Sequence, residues 1–409
     1  MTSPRDAGRV VIVGGGLAGY SAATQLRTLG HAGSITIVDP EPLPYDRPPL
    51  SKKLFEPDFS IDSLAFADEE KLAASAIDTR FGLAAASLDA TAKTVTLDDG
   101  STLTADTLLL ATGGRARTLQ VPGSDLPGVH VLRTFADAKA VSGAAKSGAR
   151  AVVIGAGLIG AELASSLLHA GVTVTLIDPV AVPLVPAVGE VIADRLHSMH
   201  VEQGIETILG VTAAIHQVGE SLEVQVDAGP RVTADLVVVG VGIVPNVELA
   251  DVAGIDVDNG ILVSPRYETS APDIYAAGDV ARLRDDEGTL HRREEHWEAA
   301  QLSGQHSAYA MLGLDIPSRG AAWFWTDRHG IHLEATGRLT GPGEVVVRHT
   351  DEHPAVFLID DGVLVGAAAI DDNNTVRAAR RLIDQRIPVS AADLADRSVA
   401  LRSLLRAAR

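Results

Sequence analysis

The sequence predicts an α/β protein with two doubly wound parallel-sheet domains and a smaller α+β domain after them. Three observations predict it. The stretch Val10 to Gly19, VVIVGGGLAG, is an apolar run feeding a glycine turn, and Ala151 to Gly160, AVVIGAGLIG, repeats it. Each turn leads into a helix-compatible segment and then into a second apolar run that ends in an acid, Asp39 in the first copy and Asp178 in the second. From about Pro317 the helical segments give way to short strand-like runs.

The glycine spacing carries a physical meaning. In Gly14-x-Gly16-x-x-Gly19 and Gly155-x-Gly157-x-x-Gly160 the first glycine allows a tight turn and the second lets a pyrophosphate approach the backbone. The third lets the helix pack closely on the strand. Leu17, Ala18 and Ile159 sit inside these turns. The helix N-terminus offers unpaired N–H groups to phosphates, and the acid accepts a hydrogen bond from an adenosine ribose hydroxyl. Two such units, each complete, predict Rossmann-like dinucleotide-binding domains.

Composition narrows the classes. Hydrophobic residues make up 46% of 409 residues, enough for real cores in two or three domains. The chain has no cysteine, which excludes disulfides, thiolate metal sites and thiol redox centres, and we expect no metal. Its net charge of −19 argues against nucleic acid as the main partner. No apolar stretch is long enough to span a bilayer, and MTSPRDAGR lacks a signal-peptide core. We therefore expect a cytoplasmic protein with no membrane attachment.

The elements follow in order. Residues 1–8 read as a disordered lead. A strand, the first glycine turn, a helix over 17–29 and a strand over 34–38 come next. Pro40 to Lys52 holds five prolines, which argue for a rigid loop. Ser51 is a candidate cap for a short helix carrying Lys52 and Lys53, and two cations in a first helical turn call for a nearby anion. Thr94 to Asp106 reads as a hairpin, followed by a buried strand that ends at Ala111-Thr112-Gly113. Leu222 to Asp235 and the strand ending at Gly242 repeat that pattern. The whole unit, glycine turn through terminal strand, is thus duplicated.

A third glycine-ended strand, YAAGD, ends at Gly278-Asp279, where Asp279 is expected to start a helix. A helix is expected over 296–312. Beyond Trp323-Phe324-Trp325 come strand-like runs 331–336, 344–348, 355–359 and 363–368, a turn at Asp360-Asp361-Gly362 and a helix over 375–385. The domains are expected at 1–112 with 243–316, at 113–242, and at 317–409.

With these motifs on the page, the chain resembles the FAD-dependent NADH:ferredoxin reductases that serve oxygenases, which share a glutathione-reductase-like arrangement of two Rossmann-like domains. The resemblance spans nearly the whole chain. It is carried by PYDRPPLSK (Pro44 to Lys52), Ala111-Thr112-Gly113, GAGLIGAE (Gly155 to Glu162), GVGIVPN (Gly240 to Asn246), YAAGD (Tyr275 to Asp279), His296-Trp297 and Trp323-Phe324-Trp325. It implies that the first repeat binds FAD, with Arg47 and Lys52 along the flavin, Asp279 at the ribityl chain and Trp297 near the ring. The second repeat would bind NADH. Asp178 is followed by Pro179-Val180-Ala181-Val182 with no arginine, so a 2′-phosphate would be repelled and not neutralised.

The resemblance also implies an ion pair between Lys52 and Glu162 beside the flavin as the catalytic feature. The activity it implies is hydride transfer from NADH to FAD, then release of single electrons to a small iron–sulfur ferredoxin, of [2Fe–2S] type, that feeds a monooxygenase or dioxygenase. The chemistry belongs to the cofactor. The histidines are scattered and none is assigned a catalytic role. The absence of cysteine separates the chain from thiol-dependent relatives. Two alternatives stay open: a flavoprotein whose redox state gates partner binding, as in the distantly related apoptosis-inducing factor, and a direct NADH-dependent reductase of small acceptors. Acidic ferredoxins call for a basic rim, with Arg292, Arg293, Arg377, Arg380 and Arg381 as candidates. Either a monomer or a dimer fits.

Overall fold

The apolar runs VVIV and RAVVI lack the alternation of a half-exposed strand, which predicts burial on both faces. Val10–Val13 and Arg150–Ile154 are accordingly the central strands of two parallel sheets. The computed structural model describes residues 5–348 and 353–407. The chain divides into two compact units: residues 1–47, 58–115 and 243–319 form one, and residues 48–57, 116–242 and 320–409 form the other.

In the first unit the strand order is Ile274–Ala276, Thr107–Leu110, Val10–Val13, Ile35–Asp39, Ile77–Phe81, all parallel. Register puts Val10 opposite both Ile35 and Thr107. The helix Leu17–Thr28 packs against the helix Trp297–Met311. A Cβ at Gly304 would lie 2.1 Å from the Ala18 carbonyl oxygen, so the two helices meet backbone to side-chain-free backbone. A three-stranded antiparallel sheet of Ala85–Asp89, Thr94–Leu97 and Thr102–Thr104 completes the repeat.

The second unit repeats this plan. Its parallel order is Glu206–Leu209, Thr173–Asp178, Arg150–Ile154, Leu236–Val239, Val129–Val131. Its antiparallel sheet is Thr212–Val218, Ser221–Val226 and Arg231–Ala234. The same unit holds a five-stranded antiparallel sheet with the order Trp323–Arg328, Ile331–Gly337, Val363–Ile370, Ala355–Asp360, Glu344–Arg348. The helix Asn373–Asp384 packs on it through Val376, Ala379 and Leu382.

Several expectations need correction. Arg5 is not part of a disordered lead: its N–H donates to Leu312 O at 2.8 Å, its guanidinium pairs with Asp273, and Ala7 is buried. Residues 1–4 lie outside the described residues. Ser51 is not a helix cap. The one-turn helix is Pro49–Lys52 with Pro48 at its N-cap, because proline suits a first helical position where no N–H partner exists. That leaves the Ser51 hydroxyl for other partners.

Asp279 does not start a helix. Gly278–Val280 is a single 3₁₀ turn feeding the strand Ala281–Leu283, and the next helix begins at Trp297. Ile274–Ala276, the third glycine-ended strand, joins the first parallel sheet beside Thr107–Leu110. The Trp323–Arg328 strand and the helices Ala391–Ala395 and Leu401–Ala407 were not foreseen. Among the described residues no helix is long and apolar enough to cross a membrane.

Candidate functional site

Both glycine turns have the geometry a pyrophosphate requires. Gly14 and Gly155 stand at φ +109° and +101°, in the region that disfavours side chains. A Cβ at Gly14 would lie 2.1 Å from the Ala111 carbonyl oxygen, and one at Gly155 would lie 2.5 Å from that of Gly240. Gly19 and Gly160 close the turns: a Cβ at either would sit 1.9 Å from the carbonyl oxygen of Gly14 or Gly155. The middle glycines differ. A Cβ at Gly16 or at Gly157 would meet nothing within 4 Å. These two are also the N-caps of the helices Leu17–Thr28 and Leu158–His169, and neither supplies a capping side chain. An open cradle over a helix N-terminus without a side-chain cap fits a phosphate.

The strand-ending acids are held alike. Asp39 Oδ2 accepts from Gly15 N at 2.5 Å and Oδ1 from Glu41 N at 2.8 Å. Asp178 Oδ2 accepts from Ala156 N at 2.7 Å and Oδ1 from Val180 N at 2.8 Å. Each carboxylate is thus fixed against its own glycine turn, with lone pairs left for a ribose. Ile159, 38% exposed, stands at the second turn.

In the first unit, Thr112 and Asn246 bond reciprocally: Thr112 Oγ1 donates to Asn246 O at 2.8 Å and Asn246 Nδ2 to Thr112 O at 2.9 Å. This joins the Ala111-Thr112-Gly113 strand end, where Gly113 stands at φ +61°, to the GVGIVPN segment. Gly242, at φ +98°, ends the corresponding strand of the second unit. Gly278 N donates to Ser303 Oγ at 2.9 Å, and the Asp279 carbonyl accepts from Arg293 at 2.8 Å. Trp297 is not a purely apolar core residue, since its indole N–H donates to Asp46 at 2.7 Å. Arg47 pairs with Glu41 at 3.4 Å and lies 5.5 Å from the centre of the Tyr45 ring. Its segment is anchored by Asp46 N to Leu64 O and Phe66 N to Pro44 O, both 2.9 Å.

In the second unit, Lys52 and Glu162 meet. Lys52 Nζ lies 3.3 Å from Glu162 Oε1 and 2.7 Å from Asp327 Oδ2. Glu162 is 5% exposed and densely partnered. It accepts from Ser51 Oγ and Thr326 Oγ1, both at 2.6 Å, and from Asp327 N at 3.3 Å. Ser166 Oγ donates to Ser51 O at 2.7 Å and clamps the Lys52 turn onto the Leu158–His169 helix. Lys52 ends the one-turn helix and Lys53 is its C-cap, so the two cations do not sit at a helix start as expected; Lys52 pairs with Glu162 and Asp327, and Lys53 with Glu56.

Sequence reasoning missed Ser51, Thr326, Asp327 and His332 as members of this cluster. The only sequence signal was the polar Thr326-Asp327 directly after the tryptophan cluster. Burial pushes the Asp327 carboxyl up, but hydrogen bonds from Lys52 and His332 and their charges outweigh it and leave it below the usual carboxylate range. The histidines are not all scattered. His200 Nδ1 and His329 Nε2 are 2.8 Å apart, and His332 Nδ1 is 2.6 Å from Asp327.

The arginines proposed for docking separate. Arg293 is turned inward, with a side chain 6% exposed and paired to Glu295 at 2.9 Å, so it does not belong to a basic rim. Arg292, Arg377 and Arg381 are exposed and Arg380 is half-buried.

Comparison with known proteins shows the family. Residues 8–304 match the pyridine nucleotide-disulphide oxidoreductase family, and residues 323–405 match the reductase C-terminal family. The chain is 34% identical to rhodocoxin reductase of Rhodococcus erythropolis, covering 95% of this chain and 92% of that one. It is 34% identical to the benzene 1,2-dioxygenase system ferredoxin–NAD(+) reductase subunit of Pseudomonas putida, covering 98% of each. A solved covalent putidaredoxin reductase–putidaredoxin complex superposes with a TM-score of 0.92 at 31% identity over 99% of both chains. The chain belongs to the pyridine nucleotide-disulphide oxidoreductase family, among its ferredoxin–NAD(+) reductases.

Proposed function

We propose that this protein is an FAD-dependent NADH:ferredoxin oxidoreductase that supplies single electrons to a [2Fe–2S] ferredoxin feeding an oxygenase. The observation that carries the reading is the pair of open glycine cradles, Gly16 and Gly157, each beside an acid locked to its own turn. FAD is assigned to the first turn, over residues 1–112 and 243–316, and NADH to the second, over 113–242, with 317–409 as the C-terminal domain. When bound, FAD accepts a hydride and returns its two electrons one at a time.

The chain's own residues bind and polarise. The first-turn N–H groups beyond Gly16 and Gly157 would hold the pyrophosphates, and Asp39 and Asp178 would accept from the adenosine riboses. Asp178 with no arginine among 179–182 favours NADH over NADPH. Lys52 supplies positive charge toward the flavin, and Glu162 holds that ammonium in place. Ala111, Thr112, Gly113, Gly242, Gly278, Asp279, Arg47 and Trp297 complete the assigned binding residues. Exposed Arg292, Arg377 and Arg381 are the charges we assign to an acidic ferredoxin.

Anaerobic stopped-flow absorbance tests this reading. Fast bleaching of bound flavin by NADH, much slower with NADPH, is expected. Slow bleaching by both at full flavin occupancy would turn the assignment toward a redox-gated binding protein. Equal rates with both would overturn the coenzyme choice alone.

A further inference from the structure

Lys52 does not serve Glu162 alone, and its nearer carboxylate is Asp327, at 2.7 Å against 3.3 Å. Asp327 is itself held. Its Oδ1 lies 2.6 Å from His332 Nδ1, and His332 Nε2 faces Glu334 Oε1 at 3.4 Å. Glu334, 4% exposed, accepts from the Trp323 indole N–H at 3.2 Å through its other oxygen. Trp323 stacks on Trp325 with ring centres 5.1 Å apart, and the Trp325 ring centre lies 5.2 Å from the Lys52 ammonium. The contacts close into a loop that begins and ends at Lys52.

The hairpin explains the arrangement. Asp327 is directly opposite His332, and Trp325 directly opposite Glu334, in the antiparallel pair Trp323–Arg328 and Ile331–Gly337. Side chains at every second residue share a face. One face therefore presents Trp323, Trp325 and Asp327 beside His332 and Glu334.

We propose that Asp327 and His332 are positioning residues for Lys52. His332 fixes one oxygen of Asp327, so that the other shares the lysine with Glu162 and determines where the positive charge stands. The proposal rests on Lys52 being the flavin-side cation. An ammonium has three donors and can serve both carboxylates at once. How firmly each holds it depends on the negative charge left on Asp327. A donor at His332 Nδ1 draws part of that charge away from the lysine. Without it, Asp327 turns its whole charge on Lys52 and pulls it from Glu162.

The charged groups around His332 enter the same balance. The groups facing this ring are Asp327 on its own hairpin's first strand and Glu334 on its second. Asp371 accepts from its backbone N at 2.8 Å, and Asp372 lines the same shallow pocket. Lys52 lies beyond Asp327, and His353 lies 3.5 Å from Asp371.

The test reads the Asp327 carboxyl directly, by NMR titration of carboxyl-labelled aspartate, assigned with Asp327→Asn, in FAD-loaded and FAD-depleted full-length protein. The Asp327 titration is expected to rise toward the ordinary range in both His332→Leu and Lys52→Met. It should stay near wild type in His332→Asn, which keeps an N–H donor near the Nδ1 position. In loaded protein, the flavin midpoint potential should fall in His332→Leu and hold in His332→Asn. An Asp327 titration unmoved in His332→Leu overturns the proposal. So does a potential that Lys52→Met shifts while Asp327→Asn and His332→Leu leave it unchanged. A potential unmoved by Lys52→Met, with the Asp327 titration still displaced, would instead sink the flavin assignment of Lys52 and leave its positioning by Asp327 and His332 standing.

Discussion

His329 Nε2 and His200 Nδ1 stand 2.8 Å apart, joining the turn after the Trp323–Arg328 strand to the helix Glu190–Glu202. Only one proton fits between two facing nitrogens, and the charged neighbours are positive. Burial and then the Arg328 charge push His200 down to about 2 and His329 down to about 4. Burial pushes Arg328 down to about 10.

These histidines make stability fall in mild acid. Their folded values lie below the unfolded value of about 6.5, so the unfolded chain binds protons more readily. The contribution is fully present above about pH 6.5 and is lost as pH falls from there toward the folded values. His200 alone gives a slope of about 1.4 kcal/mol per pH unit in that window. Urea midpoints taken from pH 7 to pH 5 should decline, and the double variant His200→Leu/His329→Asn should show a flatter decline. Parallel declines would remove the pair as the cause.

Glu162→Ala should destabilise the protein by about 3–5 kcal/mol, because it leaves Lys52 facing only Asp327 and the hydroxyls of Ser51 and Thr326 without their acceptor. Glu162→Gln, which keeps acceptor oxygen, should cost less. Thermal melts of both variants check the order.

Gly16→Ala and Gly19→Ala should separate folding from binding. A methyl at Gly16 meets no protein atom, so the melting temperature of FAD-free protein should hold while FAD affinity drops. A methyl at Gly19 would lie 1.9 Å from the Gly14 carbonyl oxygen, so both should fall. Calorimetric FAD titration beside melting curves distinguishes them.

Asp178→Asn keeps one acceptor oxygen but removes the charge that repels a 2′-phosphate. The ratio of kcat/KM for NADH over NADPH should shrink by about tenfold, the effect of one charge-assisted hydrogen bond. An unchanged ratio would place discrimination elsewhere.

Arg377→Glu with Arg381→Glu should raise the ferredoxin KM several-fold and flatten its salt dependence, because less attraction is left for salt to screen, while NADH-to-ferricyanide turnover holds. Arg293→Ala should act on stability instead, since its side chain is turned inward onto Glu295 and the Asp279 carbonyl.

The chain alone determined the parts whose physics is local. Gly14, Gly16 and Gly19 and their second copy are legible because a tight turn, room for a phosphate and a close helix–strand contact fall at a fixed local spacing. The burial of Val10–Val13 is legible because an unbroken apolar strand has no other stable home. Asp39 and Asp178 are legible from their place at the end of the next strand. The Lys52–Glu162 pair came through resemblance, since nothing local links residues so far apart.

Tertiary structure alone decided the remainder. It turned Arg293 inward, made Gly278–Val280 a 3₁₀ turn, and placed Ile274–Ala276 beside Thr107–Leu110. It paired His200 with His329 and hung Asp327 and His332 on Lys52. Hydrogen bonds and ion pairs between distant segments depend on distances that only the packed sheets set, and no spacing along the chain encodes them.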